Sequence, residues 1–362
     1  MQNRVDSPRR RRVWIWLGIV VALALPAVGV SAPAWSQILR QSDDWYGSVE
    51  AREIAGHVIG YQTDSGGWPK NLDMTRAPAT GGSSDGATID NHATTTQLWL
   101  LGRVVVAQPD VAAARKAVER GIDYLLAAQY ANGGWPQFYP LREGYYSHIT
   151  YNDGAMIDVL SVLRAVAEGR PPFEWVDEGR RAAAASAVQR GVECILRTQV
   201  RVNGQLTVWC AQHDRETLAP APARRFEPAS LSGAESVGIL EFLMTLPDPT
   251  SEMVEAIESG VAWLRTARLE GFRIDRPALP SGRRDQVLVP DPAGVVWARF
   301  YDLQTQRPIF AGRDAVVHDT LTAVEEERRV GYAYYGTWAL TLLERSYPRW
   351  RAVRANSADA SS

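Results

Sequence analysis

A ten-residue helical pattern recurs three times along the chain, and this repeat constrains the fold more than any other feature. The copies are RGIDYLLAAQ at 120–129, RGVECILRTQ at 190–199 and SGVAWLRTAR at 259–268, offset by 70 and then 69 residues. A weaker copy lies upstream, where GYQTDSGGWPKN at 60–71 resembles AAQYANGGWPQF at 127–138. Each copy has apolar residues at helical spacing and ends near a polar or glycine-containing turn. The chain is therefore predicted to contain a series of similar helical units.

Further apolar helical segments lie between these copies, at 94–107, 154–167, 233–246 and 333–346. Every unit is thus predicted to be a helix, a long loop and a second helix. The period is about twice the roughly 34 residues of a common open solenoid, and the loops are longer and less regular. We therefore expect a mostly α fold, an (α/α) toroid of helical hairpins whose long loops build a cleft over one mouth. Short strands are predicted at 203–212 and 295–312, where β-branched and aromatic residues alternate.

The first 32 residues differ from the rest of the chain. Four arginines at 9–12 precede an uncharged apolar run that ends in Val-Ser-Ala, and the next charged residue is Arg40. This order predicts an export signal peptide at 1–32 with cleavage after Ala32, a single toroid domain at 33–362, and a periplasmic or secreted enzyme. A retained membrane anchor is the alternative, because the run is just long enough to span a bilayer. After cleavage we expect no stable membrane association.

Composition narrows the classes of partner. Without residues 1–32, which hold five Arg and one Asp, the chain has 39 − 5 = 34 basic and 41 − 1 = 40 acidic residues, a net charge of −6. That balance argues against nucleic acid as a partner, and local positive groups must hold any anionic substrate. The two cysteines, Cys194 and Cys210, form no disulfide framework, and a single bridge between them is left open. We expect a monomer.

Two pairs of Asp and Asn precede predicted helices. Asp90 and Asn91 stand before the helix at 94–107, and Asn152 and Asp153 stand before the helix at 154–167. Capping of the free N–H groups of a first turn explains either pair alone. The repeat, however, places both pairs before the second helix of a unit, so that both carboxylates face one mouth. Oxygen ligands from two loops suit a hard cation such as calcium.

Basic residues in three loops are candidates for contact with an anionic substrate. Lys70 is one of two lysines in the chain and lies in a Gly-Gly-Trp-Pro turn, although a solvated loop lysine is the simpler interpretation. Arg224 and Arg225 follow a loop rich in Ala and Pro, and Arg313 lies in a turn where a guanidinium could bind a carboxylate. His213, next to Asp214, is more consistent with a structural histidine than with a catalytic dyad.

Several long segments resemble the family 10 polysaccharide lyases, which are pectate lyases. The resemblance runs in order from about residue 45 to 348, and it is carried by GGWPKN, TIDNHAT, YNDGAM, VWCAQHD, ARRFE, PASLSGAES, FYDLQTQRPIFAGRD and EEERRVGYAYYGTWA. It implies an (α/α) toroid, β-elimination of polygalacturonate, calcium, and an arginine that acts as the base. Spacing alone does not distinguish Arg224 from Arg225.

The resemblance assigns roles position by position. Asp90 and Asp153 match acidic residues near the calcium ion, Arg224 matches the proposed catalytic arginine, and Arg313 matches an arginine that binds a substrate carboxylate. Lys70, Asn91 and Asn152 complete the predicted site as substrate-binding residues. One departure is His92, which stands where the family pattern has Gly, and its side chain would narrow the mouth or contact sugar.

The predicted function is therefore that of a pectate lyase that cleaves polygalacturonate by calcium-assisted β-elimination with an arginine base. Two alternatives come from other classes. A glycoside hydrolase on a related helical toroid could use Asp90 and Asp153 as its two carboxylates. A non-catalytic periplasmic sugar-binding protein could use a cleft lined by Trp and Tyr. Elimination creates a conjugated double bond that absorbs in the near ultraviolet, hydrolysis creates reducing ends without that double bond, and binding creates neither.

Overall fold

The computed structural model describes residues 33–79 and 86–359. Its α-helices are α1 (Asp43–Tyr46), α2 (Val49–Gly60), α3 (Thr95–Ala107), α4 (Ala112–Ala127), α5 (Ala155–Ala167), α6 (Glu178–Thr198), α7 (Glu235–Met244), α8 (Ser251–Thr266), α9 (Glu326–Gly331) and α10 (Tyr347–Asp359). Short 3₁₀ helices span Trp35–Arg40, Asp90–His92, Gly144–Ser147, Asn152–Gly154 and Leu321–Ala323, and a π-helical segment spans Leu342–Ser346. The predicted signal peptide lies outside the described residues. Within the described ranges, no helix combines the length and the apolar character needed to cross a membrane.

The helices pack in two layers. The hairpin pairs are α3 with α4, α5 with α6, and α7 with α8. Helices α3, α5 and α7 contact one another in turn and form the inner layer, while α2, α4, α6 and α8 form the outer layer. The inner helices are almost wholly apolar, whereas the outer ones carry charged residues on one face, because only one of their faces meets the core. The predicted mostly α fold of repeated hairpins, an (α/α) toroid, is confirmed.

Four buried tryptophans show why the sequence repeats. Each packs against the core and donates a hydrogen bond from its indole nitrogen to a backbone carbonyl near the end of an outer helix. The pairs are Trp68 with Val58, Trp135 with Leu125, Trp209 with Ile195 and Trp297 with Leu264, at 2.7, 2.7, 2.7 and 2.8 Å. A buried indole N–H needs such a partner, and carbonyl oxygens near a helix end, each able to accept two hydrogen bonds, supply it. The tryptophan therefore fixes each loop to its own outer helix.

A glutamine at the end of three outer helices connects each unit to the next. The side-chain amides of Gln62, Gln129 and Gln199 donate to carbonyls of Ala117, Ala187 and Ala256, at 2.8, 2.9 and 3.0 Å. The same amides also donate to carbonyls in their own loops, those of Gly66, Gly133 and Thr207, at 2.7, 3.0 and 2.8 Å. Since the acceptors of the first set lie in α4, α6 and α8, these glutamines set the stacking of successive outer helices.

Short strands join the loops above the helices. The strands are β1 (Ile149–Thr150), β2 (Arg201–Val202), β3 (Gln205–Leu206), β4 (Gln212–His213), β5 (Leu231–Ser232), β6 (Leu269–Asp275), β7 (Val287–Ala298), β8 (Phe300–Tyr301), β9 (Phe310–Ala311), β10 (Val317–His318) and β11 (Tyr335–Gly336). All pairs are antiparallel: β1 with β4, β2 with β3, β5 with β8, β9 with β10, and a three-stranded sheet in the order β11-β7-β6. In that sheet Leu269 pairs with Val296 and Asp275 with Val287.

The strand predictions at 203–212 and 295–312 are confirmed, but the helix predicted at 333–346 is wrong in its first half. Tyr335 and Gly336 extend along β7, opposite Ala298 and Trp297. The side-chain carbonyl of Gln286 accepts hydrogen bonds from the backbone N–H groups of residues 334 and 335, at 3.0 and 3.2 Å. Helical backbone begins only at residue 340. Tertiary partners thus hold this apolar segment extended.

Candidate active site

Two equivalent turns hold the two Asp/Asn pairs. Each is a short 3₁₀ turn before an inner helix, Asp90–His92 before α3 and Asn152–Gly154 before α5. The first residue of each turn is buried, and the second is exposed with a left-handed backbone, φ 51° at Asn91 and φ 50° at Asp153. Asp90 is therefore equivalent to Asn152, and Asn91 to Asp153. The two pairs occupy equivalent places, as expected, but the order of Asp and Asn within them is reversed, so the two carboxylates differ in position.

Asp90 is a buried carboxylate placed between two units of the repeat. The backbone N–H of Thr88 donates to the carbonyl of Trp68 at 3.1 Å, and that of Ile89 donates to the carbonyl of Gln137 at 3.2 Å. Lys70 forms an ion pair with Oδ2 of Asp90, and the amide of Gln137 donates to the same oxygen at 2.6 Å. Oδ1 is buried and has no hydrogen-bond partner in the part of the chain that the structure describes.

Gln137 contacts the candidate site residue Asp90, a contact that the sequence reasoning missed, although the repeat contains a signal for it. GGWPK ends at Lys70 and GGWPQ ends at Gln137, so the two side chains occupy the same position in successive copies. Both side chains point to one oxygen of Asp90. Alignment of the copies beyond Gly-Gly-Trp-Pro would have predicted this convergence.

Asp153 is contacted by a neutral amide and by a positively charged guanidinium. The amide of Asn152 donates to its Oδ2 at 2.8 Å, and Nη2 of Arg299 lies 3.3 Å from its Oδ1. The same Nη2 lies 3.0 Å from Oε1 of the buried Glu235. Burial lowers the pKa of Arg299, but the charge of Glu235, the neighbouring Tyr332 and the charge of Asp153 together outweigh that effect and raise it. Arg299 is therefore a partly buried cation between two carboxylates, a role for which the sequence offers no local motif.

Arg224 is fixed by Glu227. Nε and Nη2 of its guanidinium donate to the two oxygens of Glu227 at 2.8 and 2.5 Å, and the Arg224 backbone N–H also donates to Glu227 at 3.1 Å. Tyr332 donates to the same carboxylate at 2.9 Å. The hydrogen bond to Glu227 is the largest influence on Arg224 and raises its pKa, which opposes the lowering expected of a base. Nη1 is left without a hydrogen-bond partner in the described ranges.

Arg313 lies close to Arg224. Both guanidiniums lie over the ring of Phe226, at 5.8 and 4.7 Å from its centre, and that of Arg328 does so at 4.7 Å. Arg313 and Arg328 share the carboxylate of Glu327, whose pKa they lower to about 2. Three arginines thus meet around one aromatic ring, which is the type of surface that binds anions.

A row of aromatic rings runs from Lys70 toward Arg224. The ammonium of Lys70 lies 5.7 Å from the ring centre of Phe138, which packs edge-on against Tyr146 at 5.3 Å. Tyr146 lies against Tyr145, with 4.1 Å between ring centres. The charge of Arg224 reaches Tyr145, where it counteracts part of the rise that burial causes in the pKa of that phenol. Aromatic faces between charged groups suit a sugar ring that carries a carboxylate.

The remaining predicted residues lie at the rim. The amide of Asn91 donates to Oδ1 of Asn71 at 2.8 Å, and Nδ1 of His92 lies 2.6 Å from Oδ2 of Asp158. Hydrogen bonding to Asp158 raises the pKa of His92, burial lowers it, and the charges of Asp153 and Asp90 also raise it. The charges of both turns therefore act on the His92 imidazole, whose side chain is exposed.

His213 and the cysteines have structural roles. His213 is fully buried, accepts a hydrogen bond from the Cys210 backbone at 3.1 Å, and lies 2.9 Å from the carbonyl of Leu218. Burial lowers its pKa to about 4, so the ring is neutral at ordinary pH. The structural interpretation of His213 is confirmed. Cys194 and Cys210 are both buried free thiols, which decides against a bridge between them.

The donor set suits a cation that protein and substrate hold together. In the described ranges, no group of three or more His, Cys, Asp or Glu side chains is close enough to hold a metal ion. Asp90 nevertheless offers a buried oxygen without a partner among the described residues, and the Asp153 side chain is 39% exposed. Calcium takes roughly six to eight oxygen ligands, so these two carboxylates fit it only if substrate carboxylates and water complete the shell.

Comparison with known proteins identifies the family. Residues 62–343 match the family model described as pectic acid lyase. The solved structure of a family 10 polysaccharide lyase from Cellvibrio cellulosa is 38% identical, covers 84% of this chain and 95% of its own, and has a TM-score of 0.76. A mutant of that lyase in complex with trigalacturonic acid is 37% identical, with 84% and 96% coverage and the same TM-score. The comparison with curated proteins found no match. The chain belongs to the pectic acid lyase family and is a polysaccharide lyase of family 10.

Proposed function

We propose that this pectate lyase cleaves polygalacturonate by β-elimination, with Arg224 as the base and with Asp90 and Asp153 as ligands of Ca²⁺. The observation that carries the proposal is the fixed guanidinium of Arg224. Two of its nitrogens are bound by Glu227, while Nη1 is unbonded within the described residues and the side chain is 44% exposed. The complex of the Cellvibrio lyase with trigalacturonic acid supports the same substrate class here.

The reaction removes the C5 proton of a galacturonate residue. The electrons of the C5–H bond form the C4–C5 double bond, the C4–O bond breaks, and the leaving oxygen takes up a proton. A proton next to a carboxylate is weakly acidic, so the site must stabilise a dianionic, enolate-like transition state. Lys70 and Arg313 supply positive charge for the substrate carboxylates. Ca²⁺, when bound, would withdraw further negative charge from such a carboxylate.

Arg224 must lose a proton to act as the base. Its ordinary pKa is above about 12, and the bond to Glu227 raises it further. Only a small neutral fraction is therefore present, but that fraction is a strong base, which suits a poor carbon acid. Glu227 meanwhile fixes the plane of the guanidinium, so that Nη1 meets the substrate in one orientation. Activity should consequently be greatest at alkaline pH.

We infer that the enzyme works outside the cytoplasm. The Arg-rich start followed by an apolar run supports export, and a polysaccharide substrate is too large to be imported intact. The two alternatives, a glycoside hydrolase and a non-catalytic sugar-binding protein, lose their support because the chain belongs to a lyase family.

The decisive experiment measures unsaturated product from polygalacturonate in three variants across a range of calcium concentrations. Arg224→Lys should lose nearly all turnover although the charge is kept, because Lys cannot reproduce the geometry of a guanidinium. Substrate affinity should fall much less. Arg225→Lys is the matched control, one residue away. Asp153→Ala should recover part of its activity at high calcium, because a ligand rather than the base is missing.

Three outcomes would contradict parts of the proposal. An active Arg224→Lys with an inactive Arg225→Lys would place the base one residue further along the chain. If both variants keep their activity, no arginine in this loop is the base. Steady formation of unsaturated product in excess chelator, after verified removal of metal, would rule out the role of calcium.

A further inference from the structure

A cavity lies beside the turn that holds Asp90. It has a volume of about 540 Å³ and is bounded on one side by the 3₁₀ helix Trp35–Arg40 and on the other by α3 and α5. The side chains used below are those of Trp35, Arg40, His92, Trp99 and Asp158. Asn91 and His92 line the cavity and belong to the same turn as Asp90, so the cavity is continuous with the rim of the candidate active site.

The wall formed by Trp35–Arg40 is firmly attached to the domain. Ile38 is buried, and its carbonyl accepts a hydrogen bond from the hydroxyl of Tyr46 at 3.2 Å. The carbonyl of Leu39 accepts a hydrogen bond from Nη1 of Arg103 at 2.8 Å. This segment precedes residue 62, where the match to the family model begins. The cavity therefore depends on a part of this chain that the family model does not cover.

The lining combines the groups that recognise an acidic sugar. Trp35 and Trp99 are half-buried, so part of each indole is exposed to the cavity and can contact a pyranose ring. Arg40 is exposed and forms no ion pair with a carboxylate of the described chain; its one side-chain hydrogen bond, to Oε1 of Gln37, is 3.4 Å long. A guanidinium that is free of internal ion pairs can bind a uronate carboxylate.

His92 and Asp158 form the boundary between this cavity and the active site. His92 carries a side chain at the position where family members are expected to have Gly, and it lies 2.6 Å from Asp158. The pair narrows the rim without closing it, because the His92 side chain is 64% exposed. A polymer lying across the Asp90 turn would pass His92 and reach the Trp35–Arg40 wall next.

We propose that this cavity is an additional subsite that binds a galacturonate residue of the polymer, with Trp35 stacking on the sugar and Arg40 binding its carboxylate. The proposal rests on the proposed function, since the ligand is another residue of the same substrate. An additional subsite contributes binding energy only when the substrate is long enough to reach it. The preference of the enzyme for long chains over short ones should therefore depend on Trp35 and Arg40.

The test compares kcat/KM on purified oligogalacturonates of increasing length for wild type, Arg40→Gln and Trp35→Ala. Arg349→Gln is the control, since Arg349 is an exposed arginine of α10 that lacks an ion pair with any described carboxylate. We expect a loss of about tenfold on the longest substrates for Arg40→Gln, which is the usual effect of one charge-assisted hydrogen bond. Cleavage of the shortest substrate should be unchanged. Circular dichroism checks that Trp35→Ala is folded.

Equal kcat/KM for Arg40→Gln and wild type at every length would overturn the subsite, and so would an equal loss at every length. Neither result affects the proposed function, whose central claim of β-elimination fails if wild type forms no unsaturated product. In that case calorimetric binding of a long oligogalacturonate decides the question. Tighter binding by wild type than by Arg40→Gln supports the subsite, and equal binding rejects it.

Discussion

Glu227 holds the guanidinium of Arg224 by two nitrogens and at the same time opposes its deprotonation. The same carboxylate therefore improves orientation and lowers the neutral fraction of the base. These two effects have opposite consequences for rate, and they respond differently to pH. Substitution of Glu227 separates them.

Glu227→Gln should move the rising, alkaline limb of the pH–rate profile toward lower pH, because the amide no longer stabilises the charged guanidinium. The maximum rate should fall by about tenfold, since the guanidinium is less firmly oriented. The measurement is kcat/KM against pH on polygalacturonate. Glu327→Gln is the matched control, because Glu327 holds Arg313 and Arg328 instead and its loss should change KM. An alkaline limb that stays in place would show that Arg224 does not titrate in the reaction.

The backbone at His92 has a left-handed conformation with φ 60°. Glycine adopts this conformation without strain, whereas other residues lose about 1–2 kcal/mol. This cost explains why a Gly is expected at this position in the family. The contact of His92 with Asp158 offsets part of the strain.

His92→Gly should be more stable than His92→Ala by about 1 kcal/mol, because both lose the pair with Asp158 but only the alanine keeps the strain. Urea unfolding of the two variants measures the difference. The pair with Asp158 raises the pKa of His92. Its contribution to the free energy of unfolding is therefore fully present below pH 6.5, the ordinary pKa of histidine, and is lost as the pH rises through the raised pKa of His92. The stability of wild type relative to His92→Gly should therefore decrease over that range. If His92→Ala is as stable as His92→Gly, the backbone at residue 92 is not strained.

At the scale of elements, contact between inner and outer helices depends on small residues. Gly191 lies in α6 where the helix approaches α5 and the loop that carries Trp135. A Cβ atom added there would lie 2.5 Å from a methyl carbon of Leu160 and 3.1 Å from the ring of Trp135. Gly121 of α4 has the same relation to Leu98 and Trp68, at 2.7 and 2.8 Å. The Gly in the repeated pattern is thus a packing requirement of the hairpin.

Gly191→Ala should destabilise the protein by about 1–3 kcal/mol, the usual effect of an overpacked core. Helix propensity alone predicts the opposite sign, a gain of up to about 1 kcal/mol. Gly56→Ala in α2 is the control, because a Cβ there has no neighbour within 4 Å and only the propensity acts. Thermal unfolding should show a lower melting temperature than wild type for Gly191→Ala and a higher one for Gly56→Ala. A stabilised Gly191→Ala would mean that the two helices do not pack as described.

At the scale of the whole molecule, the residues that follow the predicted cleavage point pack into the folded domain. Trp35–Arg40 already contributes the buried Ile38 and contacts with Tyr46 and Arg103. Cleavage well beyond Ala32 would remove these contacts. The position of the mature N-terminus is therefore tied to the stability of the domain.

We expect the exported enzyme to begin near Pro33 and to be recovered free of the membrane. N-terminal sequencing of the exported protein, together with separation of the membrane fraction, is the measurement. The control is a form that starts at Gln41, which should unfold at a lower temperature because it lacks the buried side chain of Ile38. Recovery of the intact Arg-rich start in the membrane fraction would identify the segment as an anchor.

The repeat in the sequence determined the helical hairpins, their order and the position of their loops. It did so because each unit encodes the same contacts locally: a Trp that bonds to its own outer helix, and a Gly where the helices meet. The motif resemblance likewise identified the family, since long and unusual segments occur in this chain in the same order as in the family 10 polysaccharide lyases. Such features are read along the chain and need no knowledge of distant contacts.

Only the tertiary structure decided which side chains meet. The reversed order of Asp90–Asn91 and Asn152–Asp153 makes one carboxylate buried and the other exposed, which the residue types alone do not reveal. Arg299 reaches Asp153 across 146 residues of sequence, and Tyr335–Gly336 is extended because β7 supplies its partners. The environment of Arg224 was also decided in this way, since Glu227 is oriented by contacts that the sequence does not specify. Ion pairs and strand pairing between distant segments depend on how the units stack, and that stacking is a property of the folded domain.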